Sequence, residues 1–347
     1  MRKILFAIST CLAMACAHTP ETLFVGTYAD GFFAFDYKSG EQIDKASMPN
    51  PSFLAFYGSK VYAVSEMPDS TASVWAWHWG GNGFQLLGSQ PTGLPQGGED
   101  PCHVATDGNF LAVSNYSGGT LALYMLEPDG SIAPMDSLIV SHTGGPDQSR
   151  QDKAHVHCAA FSPDGKYLFF SEFSADAIGR LTLTPLGAKD LKTAVQLPPD
   201  FGPRHLLFDA SGKHFYVIGE LSGDVAVFDY EAGCLTLRQV VKADEVDARG
   251  AADLHLSPDG RFLYASLRLQ NDGIAIFSVA PDGSLTKVGY QLTGPHPRNF
   301  CVTDQEVLVA CRDNDAIEFY SRDPQTGLLT DTGRRLSVPK PVFVTVQ

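Results

Sequence analysis

The chain has 347 residues, 44% of them hydrophobic and only 18% charged, with 33 glycines and 22 prolines. That composition suits a full core made of many short strands joined by small polar turns, either as one unit of barrel or propeller size or as two average domains. The formal net charge of −14 argues against a nucleic-acid partner, which needs a basic footprint, but leaves an anionic small substrate open, because a cleft responds mainly to its nearest charges.

The chain begins MRKILFAISTCLAMACAHTP. Arg2 and Lys3 form a basic start, and the apolar run from Ile4 to Met14 is too short to span a membrane comfortably. Ala13-Met14-Ala15-Cys16 resembles a bacterial lipoprotein box, with the methionine as its one departure. Residues 1–17 are therefore expected to be a signal peptide with lipidation at Cys16, which implies attachment to a membrane and a periplasmic or envelope location. An ordinary secretory signal is the alternative, and a cytoplasmic protein follows if neither signal operates. Cys102, Cys158, Cys234, Cys301 and Cys311 show no disulfide framework. Cys301 and Cys311 flank a turn and could face each other across a hairpin, but buried free thiols are the favoured reading. There is no CxxC and no zinc spacing, so no metal and no cofactor is expected.

From residue 20 onward the chain repeats. The segments 153–183, 201–230 and 250–279 each hold a strand, a turn, a second strand ending in a small residue, a polar turn and a third strand. The small residue recurs at Gly26, Ser65, Ser114, Ser171, Gly219, Ser266 and Cys311, in steps of 39, 49, 57, 48, 47 and 45 residues. That is propeller-blade spacing, with a longer insertion before Ser171. Turns such as Ser162-Pro163-Asp164-Gly165 place proline where its φ suits a turn and glycine where φ can be positive. Inner strands are expected at PSFLAF (51), PCHVAT (101), VHCAAF (156), PRHLLF (203), DLHLSP (253), PRNFCV (297) and PVFVTV (341). The N-terminal TLFVGTYADGFFAFDY lacks an inner strand, and the C-terminal one has nothing after it. Pairing the two predicts an all-β, seven-bladed β-propeller over residues 20–347, its ring closed by the C-terminal strand joining the N-terminal blade.

Inner strands of a propeller converge on one channel mouth, so polar residues there stand out where packing alone would choose apolar ones. His157 and Arg204 occupy matching places, each eight residues before its turn glycine, with His155 and His205 beside them. Arg298 opens the last inner strand in the same Pro-Arg frame as Arg204. After the small residue stand Glu66, Asn115, Glu172 and Glu220, then Arg268 one step on, and Arg312. An arginine at a strand start can also be a clasp between blades. A histidine such as His103 or His255 can be a packed, paired residue of the core.

These segments resemble the lactonase family of seven-bladed propellers, which includes propeller-type 6-phosphogluconolactonases and carboxymuconate-lactonizing enzymes. The matching stretches are VGTYADGFFAFD, NPSFLAF, VSNYSGGTLALY, HVHCAAFSPDGKYLFF, GPRHLLFDASGKHFYVIGEL, SPDGRFLYASLR and GPHPRN, in family order, with GPRH…GE the most specific. The resemblance implies hydrolysis of a sugar δ-lactone, with 6-phosphogluconolactone the usual assignment. It also implies a catalytic set of His157, Arg204, Glu220 and Arg268, with His155, His205, Arg298 and Arg312 around the substrate. The sixth blade of the family often carries an Asn-Arg pair, and here it reads Leu267-Arg268. An exported enzyme would also be separated from the cytosolic phosphorylated sugar.

The residue types suit the reaction. Guanidinium forks bind anions and stabilise an oxyanion, and His157 or Glu220 could take the proton of an attacking water. No GxSxG elbow is present, so direct attack by water is expected. Three rivals stand beside this reading. They are a muconate-type cycloisomerase, a non-catalytic envelope propeller, and a calcium-dependent gluconolactonase-type propeller in which Glu66, Asn115, Glu172 and Glu220 form an oxygen ring.

Overall fold

The computed structural model describes residues 21–347, and the signal-peptide and Cys16 expectations lie outside them. Over these residues the strands form seven four-stranded antiparallel sheets, six of them built from consecutive strands. The seventh joins Pro341–Val346 to Thr22–Thr27, Asp30–Asp36 and Gln42–Pro49, so the chain's last strand is the inner strand of blade 1. Leu23 pairs with Val346 and Val25 with Val344, and the seam is finished by a reciprocal pair of hydrogen bonds between Thr22 and Gln347 at 2.9 and 3.0 Å. The remaining inner strands are Leu54–Tyr57, Pro101–Thr106, Val156–Phe161, Pro203–Phe208, Ala251–Leu256 and Pro297–Val302, blades 2 to 7 in order.

The core lies between blades, where the apolar second and third strands of one sheet pack on those of the next. Tyr216, Ile218 and Val225 of blade 5, for example, join Leu263, Ala265 and Phe277 of blade 6. Buried tyrosines clip neighbours together: the hydroxyls of Tyr62, Tyr216 and Tyr264 donate to the carbonyls of Gly130, Gly283 and Gly327, each in the following blade. The Ser-Pro-Asp-Gly turns are local. Ser162 Oγ donates to Asp164 at 2.6 Å and accepts from the Tyr167 N–H at 3.0 Å, while Gly165 takes φ +67°. Cys301 and Cys311 are buried free thiols at opposite ends of the blade 7 hairpin, where they pair with Leu308 and Pro297, so they do not face each other.

The register fixes which residues are equivalent around the mouth. In six blades the residue after the second strand donates its N–H to the carbonyl of the residue before the inner strand, and in blade 2 the acceptor, Asn50, stands four residues before Leu54. These donors are Tyr28, Glu66, Tyr116, Phe173, Glu220, Arg268 and Arg312, bonding to Lys340, Asn50, Asp100, His155, Gly202, Gly250 and His296. This corrects the repeat frame read from the sequence. The small residue occupies two adjacent positions, and Ser114, Ser171 and Ser266 sit one residue earlier than Ser65, Gly219 and Cys311. Arg268 is thus in register with Glu220, whereas Asn115 and Glu172 lie one step back. A one-residue slip turns a strand side chain to the other face. Asn115 accordingly bonds Thr92 O and Thr120, and Glu172 accepts from Ser141 and His142, both buried between blades.

Candidate active site

The second residue of the inner strand brings side chains to the mouth in several blades. His157, Arg204 and Arg298 hold that position in blades 4, 5 and 7, and Cys102 holds it in blade 3. The third position makes the floor. There His103 packs on Phe53 with centroids 4.3 Å apart, and His205 lies 5.5 Å from His103 and 5.3 Å from His157. Asp253 collects hydrogen bonds from His205, His255 and Asn299 on this floor. His205 is therefore a buried member of the floor network rather than a residue facing a ligand, and His255 is a paired histidine packed on Phe300.

Above the floor opens a cavity of about 350 Å³ lined by Glu66, Asp100, Cys102, Tyr116, Ser117, Arg150, His157, Glu220, Arg268 and Arg298. Glu220 is its hub. Gly202 takes φ +57° at the turn into the inner strand and leaves no room for a Cβ, which would stand 2.6 Å from Leu221 Cγ. That turn accepts the Glu220 N–H and seats the carboxylate beside Arg204. Glu220 Oε2 lies 2.8 Å from Arg204 Nε, an ion-pair contact without the alignment of a hydrogen bond, and 3.4 Å from Arg268. Its Oε1 accepts from Arg150 at 2.8 Å. Burial alone would raise the carboxyl, but Arg268, Arg204 and Arg150 outweigh it and hold it at about 2.

Arg204 is only 1% exposed and also donates to Ala252 O at 2.6 Å, so it underlies the cavity rather than lining it. Arg268 donates to Gly250 O at 2.9 Å. Burial pushes its guanidinium down, Glu220 pulls it back up, and Arg204 and Arg298 press it down again to about 9, still cationic at neutral pH. Among the described residues Arg298 donates no hydrogen bond. It stacks on Tyr28 at 5.1 Å and stands 3.7 Å from Glu66 Oε2. His157 is kept well below its ordinary 6.5 by burial first and by Arg204 next, so the imidazole is neutral. Its Nδ1 has no hydrogen-bond partner.

Of the sequence-predicted residues, the cavity wall brings together His157, Glu220, Arg268 and Arg298. His155 stands behind the wall, stacked on Tyr116 at 4.1 Å and bonded to its carbonyl. Arg312, expected at the substrate, is instead held by Asp313 in a separate shallow depression with Tyr28, Asp315 and Lys340. The oxygen ring of a calcium site is not assembled, because Asn115 and Glu172 turn away. Among the described residues no group of three His, Cys, Asp or Glu is placed to hold a metal ion.

The sequence reading missed Arg150, which arrives on the insertion 141–155 ahead of blade 4. Gln151, buried, anchors that segment by donating to Phe173 O at 3.0 Å and Asp176 at 2.8 Å. Arg249 clasps Asp147 of the insertion at 2.6 Å and Asp200 at 2.7 Å. So held, Arg150 lies over the Phe173 ring and reaches Glu220 and the Tyr116 hydroxyl. The signal available was the long step before Ser171.

Residues 22–346 match the family described as lactonase, 7-bladed beta-propeller. The chain is 34% identical to a 6-phosphogluconolactonase of Formosa agariphila, covering 91% of this chain and 96% of that one. The crystal structure of a Bacteroides uniformis protein superposes with a TM-score of 0.89 at 45% identity, covering 95% of this chain and all of the other. The periplasmic gluconolactonase of Pseudomonas aeruginosa superposes with a TM-score of 0.85 at 30% identity, covering 94% and 98%. The propeller, its rim and these similarities agree, and the chain belongs to the seven-bladed β-propeller lactonase family.

Proposed function

We infer that this protein opens the ring ester of a sugar δ-lactone, with a phosphorylated aldonolactone such as 6-phosphoglucono-δ-lactone as the leading substrate. The observation that carries the reading is the composition of one small cavity. It joins a neutral His157 with an unpartnered Nδ1 to Arg150, Arg268 and Arg298. With Arg204 beneath, four guanidinium groups meet the three carboxylates of Glu66, Asp100 and Glu220, leaving one excess positive charge. The names of the similar Formosa and Pseudomonas proteins support the same class of substrate.

In this reading water attacks the lactone carbonyl and His157 takes its proton. The oxyanion faces Arg268, which Glu220 and Gly250 O hold in place. Collapse breaks the ring C–O bond, and the departing oxygen takes the proton back from His157. Glu220, with its carboxyl at about 2, is a weak base, and its task is to gather Arg150, Arg204 and Arg268. Arg150 keeps Nε and Nη1 unbonded among the described residues and sits at the mouth, where it takes the phosphate. The protein is further proposed to work at the cell envelope, tethered through Cys16, on the strength of its signal-like start and the likeness to a periplasmic protein.

The test is the rate of loss of 6-phosphoglucono-δ-lactone and of glucono-δ-lactone against their spontaneous rates. The phosphorylated lactone should be lost faster. Arg150→Ala should raise KM for it by roughly 10-fold with kcat little changed, the pattern of lost ground-state binding. Loss at the spontaneous rate for both lactones overturns the reading.

A further inference from the structure

The rim places two carboxylates at equivalent positions, and they are in opposite states. Both oxygens of Glu220 are occupied by arginines. Glu66 is only half used. Its Oε1 accepts from the Tyr28 hydroxyl at 2.6 Å, while its buried Oε2 has no hydrogen-bond partner. The nearest cation, Arg298, stands 3.7 Å away, beyond hydrogen-bond reach, and itself donates to nothing among the described residues. Burial pushes the Tyr28 phenol up, so it stays protonated and keeps donating to Oε1, which leaves Oε2 as the open acceptor. A buried carboxylate oxygen without a donor is costly, and native structures rarely keep one without a purpose.

We propose that Glu66 and Arg298 form a hydroxyl-reading subsite on the cavity wall, in which Glu66 Oε2 accepts a hydrogen bond from a ring hydroxyl of the lactone and Arg298 donates to its neighbour. This rests on the lactonase reading above and narrows it to polyhydroxylated lactones. An acceptor beside a free donor matches a pair of adjacent hydroxyls, each of which can both give and take a hydrogen bond. A methylene at that place would leave Oε2 unpaired, and a carboxylate would meet it with like charge. Sites built to bond a hydroxyl reject the analogue lacking it more sharply than apolar pockets reject a misfit. Glu66 is thus a specificity-determining residue, and Tyr28 is the positioning residue behind it.

The experiment compares glucono-δ-lactone with δ-valerolactone, the same ring ester without hydroxyls, in the wild type, Glu66→Ala and Glu66→Gln. A charge-assisted hydrogen bond lost from the transition state should cut kcat/KM for gluconolactone on the order of 10- to 100-fold in Glu66→Ala. The fall for δ-valerolactone should be at least about ten times smaller, and Glu66→Gln should recover part of the loss because its amide oxygen still accepts. Equal falls for both lactones, the signature of a structural role, overturn the proposal. Calorimetric titration with D-gluconate gives a readout independent of catalysis. Binding by the wild type that weakens in Glu66→Ala supports the subsite. No binding, or equal binding by both proteins, overturns it. Hydrolysis of neither lactone, nor of 6-phosphoglucono-δ-lactone, above the spontaneous rate sinks the lactonase reading, and the gluconate titration then decides the subsite by itself.

Discussion

Glu220→Gln removes the charge that ties the rim's arginines together while keeping the side chain's shape. In the variant Arg204, Arg268 and Arg150 crowd an amide in place of a carboxylate. The Glu220 carboxyl stands at about 2 against an ordinary 4.5, and at about 1.36 kcal/mol per pKa unit the difference corresponds to about 3 kcal/mol of folding free energy at neutral pH. The side chain is 9% exposed, so solvent screening removes little of this. Breaking one side of a buried ion pair typically costs about 3–5 kcal/mol, which agrees. At about 2.1 cal/mol/K per residue, residues 21–347 carry an unfolding entropy of roughly 0.7 kcal/mol/K, so the melting temperature should drop by about 4–5 °C. Because the folded carboxyl lies below the unfolded one, the stabilisation is complete above about 4.5 and is lost as the pH falls toward about 2. Calorimetric melts of both proteins at neutral pH and at about pH 3.2 should therefore show the gap shrinking to about half. A gap under about 1 °C at neutral pH, or one that does not narrow in acid, refutes the account of Glu220 as the hub.

The depressed His157 predicts the pH dependence. The base must be neutral, and its pKa lies well below the ordinary 6.5, so kcat/KM corrected for spontaneous hydrolysis should stay flat through 6.5 and fall only on the acid side of it. A midpoint at or above 6.5 would mean that His157 is not the base, or that its burial and Arg204 do not act as described. The envelope proposal predicts that Cys16→Ser moves the expressed protein from the membrane fraction to the soluble fraction. Equal fractionation of the two would rule out a lipid tether at that residue.

Much of the fold could be read from the chain because each blade signals itself twice, by a turn glycine and by an apolar run of fixed length. The incomplete blades at the two ends then required each other. The site was legible where its residues follow the repeat: His157 and Arg204 could be aligned on their turns, and Glu220 on its small neighbour. It was illegible for two physical reasons. Ser114 and Ser171 are as small as Ser65 but stand one residue earlier, where Ser171 Oγ donates to Arg204 O across the blade interface at 3.1 Å. Aligning small residues therefore drew Asn115 and Glu172 into a set to which Tyr116 and Phe173 belong. Arg150 has no repeat counterpart at all, because an insertion delivers it, and only the folding of 141–155 over the mouth brings it to Glu220. Arg312 shows the converse, a residue in register whose side chain is captured by its neighbour Asp313.

The closing strand gives the site a dependence on both ends of the chain. Pro341–Val346 and Thr22–Thr27 are separated by nearly the whole sequence, so their pairing carries the largest loop-closure cost of any strand pair in the molecule. The other six sheets are built from consecutive strands and need no such closure. The mouth is different: Arg298 in blade 7 and Glu66 in blade 2 belong to it, and Tyr28, which touches both, sits on the seam blade between them. Tyr28 N is itself bonded to Lys340 O, one residue before the closing strand. The hydroxyl-reading wall therefore depends on the pair that joins the two ends of the chain, and a clip at the extreme C-terminus should weaken substrate discrimination while the other six sheets keep their hairpins.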